Sequence, residues 1–356
     1  MLENISIQCL FIICVIFIMY RKNKKIEDMQ IKKMGESTFS AIYVTIEDFF
    51  LSVFAGTVLT VLFNAFQIKF SNVKEVFIIF IISIILYKIN HHLICFSYSA
   101  SIFGLFNVLF IDAHFNLINL ILFVALLHIV EGFLIIIDGH KCAVPFIKNE
   151  SGITYGGFTL RKYYGVPFIV MVNNILSGFF VIYALLGYSS STHTMSKRGK
   201  SLYSGILIVL YGSILYGMSL ILNTEKTSLF LIILMPFLHE TMLILNRKIE
   251  KRDTFKFVSS DRELTILEVC RGSEADTYGI KSGFKIISVS GQKIKSEEEI
   301  YSLLEKEELA VIKIIDLKNV IKDINYKHTK GRRTGMMIVP YRDDRFSTIL
   351  GKITES

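Results

Sequence analysis

No two cysteines in this chain stand at CxxC spacing. The five, Cys9, Cys14, Cys95, Cys142 and Cys270, are scattered, and three lie inside apolar runs. That supports neither a disulfide framework nor a zinc knuckle, and it leaves them as small buried hydrophobes. No glycine-rich phosphate loop follows a strand, so nucleotide hydrolysis has no anchor. No Lys/Arg stripe interleaved with stacking aromatics is present, so the net charge of +8 does not point to nucleic acid. A His-Glu-x-x-His helix is missing as well: His239 and Glu240 are followed by Thr241, Met242 and Leu243, without the second histidine that a zinc peptidase uses. No internal repeat is visible.

The most informative scarcity is of charge. Residues 1–245 hold 30 of the Asp, Glu, Lys and Arg residues, whereas residues 246–356 hold 40. A chain divided in this way is built for two solvents, lipid first and water second. A membrane span needs about 20 apolar residues. Stretches 4–20, 42–63, 75–90, 93–111, 116–138, 166–187, 201–222 and 228–245 qualify in whole or part, which predicts seven or eight spans; Ser97, Ser99 and Ser101 dilute 93–111. The first stretch has Glu3 and no Lys or Arg before it, so it reads as an uncleaved helix rather than a signal peptide. Basic clusters at 21–40 and 247–252 both favour the cytoplasm. Eight alternating spans would put them on opposite sides; the density of the second cluster favours a cytoplasmic carboxy-terminal domain.

The expected organisation is an α-helical polytopic membrane region over 1–245, a basic juxtamembrane linker over 246–253, a small α/β, mainly β, domain over 254–342 and a tail over 343–356. Strands are expected at 264–269, 285–290, 311–317 and 336–340, with a helix over 296–305 capped by Ser296. The loop 139–165 reads as a turn or short hairpin.

Within that domain, Gly272-Ser273-Glu274-Ala275, Tyr278-Gly279-Ile280, Ser282-Gly283 and Val289-Ser290-Gly291 follow one another in the order and spacing of a bacterial PDZ domain, which the stretch resembles. They stand where that family has its Gly-Ser-Pro-Ala loop, Ala-Gly-Leu, Pro-Gly and Ile-Asn-Gly turn. Phe284 replaces the acidic residue usual after Pro-Gly, and Arg262 and Glu263 stand where a glycine usually precedes the peptide-binding strand. The resemblance implies a groove that takes an extended peptide as an added strand, with Glu263, Leu264, Thr265 and Ile266 as its edge and Ile300, Leu303 and Leu304 as its helix wall. Read from the residues alone, the same apolar side chains are core.

Several spans before a single such domain, together with LLHIVEGFLIIIDG (126–139) and PFLHETMLILNRKIEK (236–251), resemble the MinJ-like division-site membrane proteins of Gram-positive bacteria. The resemblance implies a scaffold in the cell membrane that recruits division-site or polar proteins and contacts lipid, with room for self-association. The alternative is an intramembrane metalloprotease with a regulatory PDZ domain. Ionisable residues within spans are candidate sites by default: His128, Glu131, Asp138, His239 and Glu240. Were the spans bearing His128 and His239 to meet, two imidazoles and a carboxylate would form a donor set. The sequence by itself assigns no catalytic residue, no metal and no cofactor. A few mid-span polar residues, Asn173 and Asn174, are all that favours transport.

Overall fold

The computed structural model describes residues 2–341 except 112–114, 151, 173–180, 252–253, 308, 330 and 332. In chain order the amino-terminal part forms α1 (Leu2–Met34), α2 (Ala41–Ala65), β1 (Lys69–Phe70), α3 (Val73–Ile89), α4 (Phe96–Phe110), α5 (Leu117–Asp138), β2 (Val144–Glu150), β3 (Ile153–Ile169), β4 (Met171–Val172), β5 (Val181–Thr192), α6 (Lys197–Ile221) and α7 (Glu225–Lys248). Among the described residues four helices are long and apolar enough to cross a membrane: α2, α5, α6 and α7 with its extension to Lys251. Their outer faces carry exposed Phe50, Phe54, Ile221 and Phe237. Apolar surface on that scale needs a cover.

Four replaces the expected seven or eight, for two physical reasons. Stretches 75–90 and 93–111 fold as α3, 17 residues, and α4, 15 residues. At 1.5 Å per residue they are about 26 and 22 Å long, short of the roughly 30 Å of a bilayer core. Stretch 166–187 is not a helix: its described residues belong to β3, β4 and β5. Burial alternates along these strands, but the outward positions are also apolar, Leu185 among them, and hydrophobicity alone cannot separate such a run from a helix. Stretch 4–20 lies within α1 and is not among the four. Asn173, Asn174 and the tail 343–356 lie outside the described residues.

β2, β3 and β5 form an antiparallel sheet, with β3 paired to β5 from Phe158↔Thr192 to Ile169↔Val181. The expected hairpin in 139–165 is thus β2 and the first part of a much longer strand. Beyond Ile169 the chain pairs in parallel with β1, Phe70 opposite Val172. From Lys162 to Val172 is ten residues, about 33 Å at 3.3 Å each, so this hairpin runs the length of the helix bundle. α2 makes room for it. A Cβ on Gly56 would sit 1.6 Å from the Pro167 carbonyl oxygen. The Thr60 hydroxyl accepts the Ile169 amide at 3.0 Å, and Phe63 meets Phe168 edge to face at 5.6 Å. α5 and α6 also approach backbone to backbone, because a Cβ on Gly132 or Gly205 would meet the other's carbonyl oxygen at 2.8 or 2.7 Å.

One end of the bundle collects both basic clusters. Asn23 donates to Thr45 and Asp48, Gln30 to the Ala143 carbonyl, Ser201 to the Ile135 carbonyl and Lys200 to the Asn246 carbonyl. The expected conflict between the clusters disappears because the 166–187 stretch is the two strands of a hairpin that leaves this end and returns to it. α3 and α4 likewise leave and return to the other end, where Asn119 donates to the Lys69 carbonyl. The basic cluster itself is helical through Lys251 rather than a linker.

The carboxy-terminal part forms β6 (Phe257–Val258), β7 (Leu264–Val269), α8 (Glu274–Thr277), β8 (Lys285–Val289), α9 (Glu297–Lys306), β9 (Ala310–Ile315), β10 (Ile321–Tyr326) and β11 (Met336–Ile338). Five strands make one antiparallel sheet in the order β10-β9-β8-β7-β11. The Ser296 side chain caps α9 by accepting the Glu299 amide. Ile300 and Leu304 bury against Ile266, Ile286, Ile312 and Ile338. This sheet is docked, not merely tethered. β6 pairs with β3 at Tyr155↔Val258 and Gly156↔Phe257, Leu267 and Val339 join the core of the bundle, and Lys197 pairs with Glu268.

Candidate functional site

Among the described residues, two polar clusters inside the helical half hold the ionisable residues expected from the sequence. The first closes the end that faces the carboxy-terminal sheet. Lys162, fully buried on β3, places Nζ 2.5 Å from Asp48 Oδ1 of α2 and 2.5 Å from Asp138 Oδ2 at the end of α5. Asn23 from α1 donates to the other Asp48 oxygen at 3.1 Å, and Lys141 reaches Asp138 at 2.9 Å. The cluster thus ties β3 to three helices. Asp138, expected as a site residue, serves here about 15 Å along α5 from His128. Neither pairing of Lys162, with Asp48 or with Asp138, is visible in local sequence.

The second cluster sits midway along α5. His128 and His239, the two expected histidines, do meet: their rings are 5.7 Å apart, 2% and 6% exposed. The third member is Cys95, at the tip of the α3–α4 hairpin. Its Sγ is 3.0 Å from His128 Nε2, and Cys95, His128 and His239 offer three donor atoms all within 4.8 Å of one another. Around them, Ser97 Oγ and Tyr211 Oη are 2.7 Å apart, Tyr211 donates to the Met235 carbonyl at 3.2 Å, and Tyr98 Oη is 3.0 Å from His239 Nδ1. The Tyr98 hydroxyl donates to Glu240 Oε1 at 2.5 Å. The other Glu240 oxygen faces Arg247 at 3.9 Å, on the rim. Glu131 stands one turn on from His128, partly buried, and forms no hydrogen bond among the described residues. So the histidines come together as a pair, but the expected carboxylate ligand is replaced by a thiol. The one local signal for it was the run of Ser97, Ser99 and Ser101 after Cys95, polar residues that an ordinary lipid-facing span does not need.

In the carboxy-terminal sheet, the expected peptide edge is interior. Leu264 and Thr265 pair with β8, and Ile266, Glu268 and Val269 pair with β11; Val339 also donates to the Thr265 carbonyl at 2.9 Å. Leu264, Thr265 and Ile266 are buried, and Glu263 pairs with Lys285. The strand that lies at the edge beside α9 is β11. There α9 already touches the edge twice. Tyr301 Oη accepts the Thr334 amide at 3.0 Å, and the Glu297 carboxylate accepts the Ile338 amide. Burial pushes the Glu297 carboxyl up to about 7, against that hydrogen bond. Ile300 and Leu304 are core, whereas Leu303 is only half-buried and packs against that core from its margin. The loop before the strand turns at Gly331 and Gly335, both at positive φ.

No known family model matches the chain, and no curated protein sequence matches it either.

Proposed function

We propose that the protein is a membrane-anchored adaptor, with α2, α5, α6 and α7 as its spans and the carboxy-terminal domain as a PDZ-like module on the cytoplasmic face. The observation that carries the reading is the pairing of an edge strand with a helix: β11 lies outermost in its sheet, beside α9. That is the arrangement in which an extended peptide adds as a strand and drops side chains against a helix. Docking moves from the interior strand β7 to β11, and the peptide displaces Glu297 from the Ile338 amide. Gathering both basic clusters at the domain's end of the bundle supports the cytoplasmic placement. The likeness to MinJ-like proteins makes division-site or polar proteins the partners to look for. The peptidase alternative lacks the second histidine one turn after His239, and Glu240 is turned toward Tyr98 and Arg247.

The test is proximity labelling from Ser356 in the native cell, with wild type beside Leu303→Trp, which adds bulk on α9 at the margin of the core. Wild type should tag cytoplasmic proteins, and the variant should lose a defined subset while still inserting in the membrane. An unchanged set of tagged proteins would refute the groove, and tagging confined to extracytoplasmic proteins would refute the topology.

A further inference from the structure

We infer that Cys95, His128 and His239 form a binding site for a transition-metal ion of the zinc class, with an open fourth position. Hydrogen bonding fixes the tautomer of both rings. His128 Nδ1 lies 2.7 Å from the Val124 carbonyl oxygen, which can only accept, so Nδ1 carries the proton and Nε2 presents its lone pair to Cys95. The Tyr98 hydroxyl gives its proton to Glu240, so its oxygen accepts from His239 Nδ1, and the lone pair of His239 is again on Nε2. Each imidazole is therefore anchored through its far nitrogen. This is how metal-binding histidines are held, by a backbone carbonyl in one case and a hydroxyl–carboxylate chain in the other.

The donor set is two imidazoles and a thiol, borderline to soft, which selects zinc-class ions over Mg²⁺ or Ca²⁺. Tetrahedral coordination with bonds of about 2.0–2.3 Å separates donors by roughly 3.3–3.6 Å. The observed donors span 3.0 Å between Cys95 and His128 and at most 4.8 Å overall. Closing them on an ion takes shifts of about 1 Å, which small torsions of the side chains supply with Nδ1 of each ring still anchored. Binding releases the thiol proton, so the thiolate offsets one of the ion's two charges. Three elements that the sequence keeps far apart, the α3–α4 tip, α5 and α7, are then cross-linked at one point.

The full-length protein, purified in detergent and stripped with a chelator, is titrated with Co²⁺ as a spectroscopic stand-in for Zn²⁺. One equivalent should give the thiolate-to-cobalt charge-transfer band and the strong visible bands of a tetrahedral site, and Zn²⁺ should displace it. Cys95→Ser should abolish the charge-transfer band and weaken binding, whereas Cys14→Ser should leave both. Tyr98→Phe, which keeps every ligand but loosens His239, should weaken binding about 10-fold or more. Zn²⁺ should raise the melting temperature of wild type and not of Cys95→Ser; this second readout holds even where a variant folds less well. Absence of the charge-transfer band in folded wild-type protein, or its persistence in Cys95→Ser, overturns the assignment.

Discussion

The two polar clusters of the helical half differ in charge, and the difference shows two ways of keeping polar groups inside a low-dielectric interior. At the docked end, a lysine and two aspartates are buried as ions, and each supplies what the others need. Removing two charges from water costs several kcal/mol each, and only close pairing offsets it. Midway along the bundle, Cys95, His128, His239, Tyr98 and Tyr211 are neutral groups linked by hydrogen bonds. They carry no such desolvation cost, and for that reason they are free to take up an ion. The first cluster is an internally satisfied clamp; the second has acceptor capacity to spare.

The largest expected effect breaks the clamp. Lys162→Met leaves Asp48 and Asp138 buried beside each other without their shared cation, which should cost about 3–5 kcal/mol. Thermal unfolding in detergent would show it as a large fall in melting temperature. Adding Asp48→Asn and Asp138→Asn to the same protein should recover most of the loss, since no uncompensated charge then remains; failure to recover would mean that shape rather than charge is what Lys162 contributes.

Glu297 sharpens the comparison as a half-buried carboxylate without a clamp. Its pKa in the fold lies above the ordinary value, so the fold favours the protonated form. The resulting stability is complete below about pH 4.5, declines as pH rises, and is gone above about 7. A rise from 4.5 to about 7 corresponds to at most about 3 kcal/mol at full ionisation. Glu297→Gln should therefore stabilise the carboxy-terminal domain at pH 8 and have no effect at pH 4, measured by denaturant unfolding at both pH values. The smallest effect belongs to the neutral cluster. Tyr211→Phe loses its hydrogen bonds to Ser97 and Met235 and should cost about 1 kcal/mol, with little dependence on pH or salt. A cost as large as that of Lys162→Met would erase the distinction between the clusters.

What was legible in the sequence followed from periodicity and caps. The strands at 264–269, 285–289 and 310–315 and the helix after Ser296 have the expected positions, because alternation and an N-cap act within a few residues. β10 was passed over: its Lys322, Asp323 and Asn325 give it an exposed, polar edge. The 166–187 stretch reads as a helix because its outward positions are apolar too, which hides in the sequence the alternation that burial shows. His128 and His239 were legible as ionisable residues in apolar runs. Cys95 was not, because a cysteine beside an apolar run reads as a small hydrophobe, and the serines that follow it mark a polar environment without naming the partner. Nor was the neutralisation of Asp48 and Asp138 by Lys162, since it depends on where a strand 24 residues beyond Asp138 returns. The edge beside α9 was assigned to the wrong strand because the order of strands in a sheet is a property of the whole chain.

The β3–β5 hairpin constrains the order in which this molecule can be assembled. Helices enter a bilayer singly, each with its own hydrogen bonds complete, whereas a two-stranded ribbon would carry bare amides and carbonyls along both margins into hydrocarbon. The ribbon therefore has to slide into a slot already walled by α1, α2 and α5, which precede it in synthesis and contact it or its flanks. The opening at Gly56 and the waiting Thr60 hydroxyl belong to that slot. For four helices apolar enough to cross a bilayer, this sets an order: the walls go in first, and the seam through the middle closes by folding.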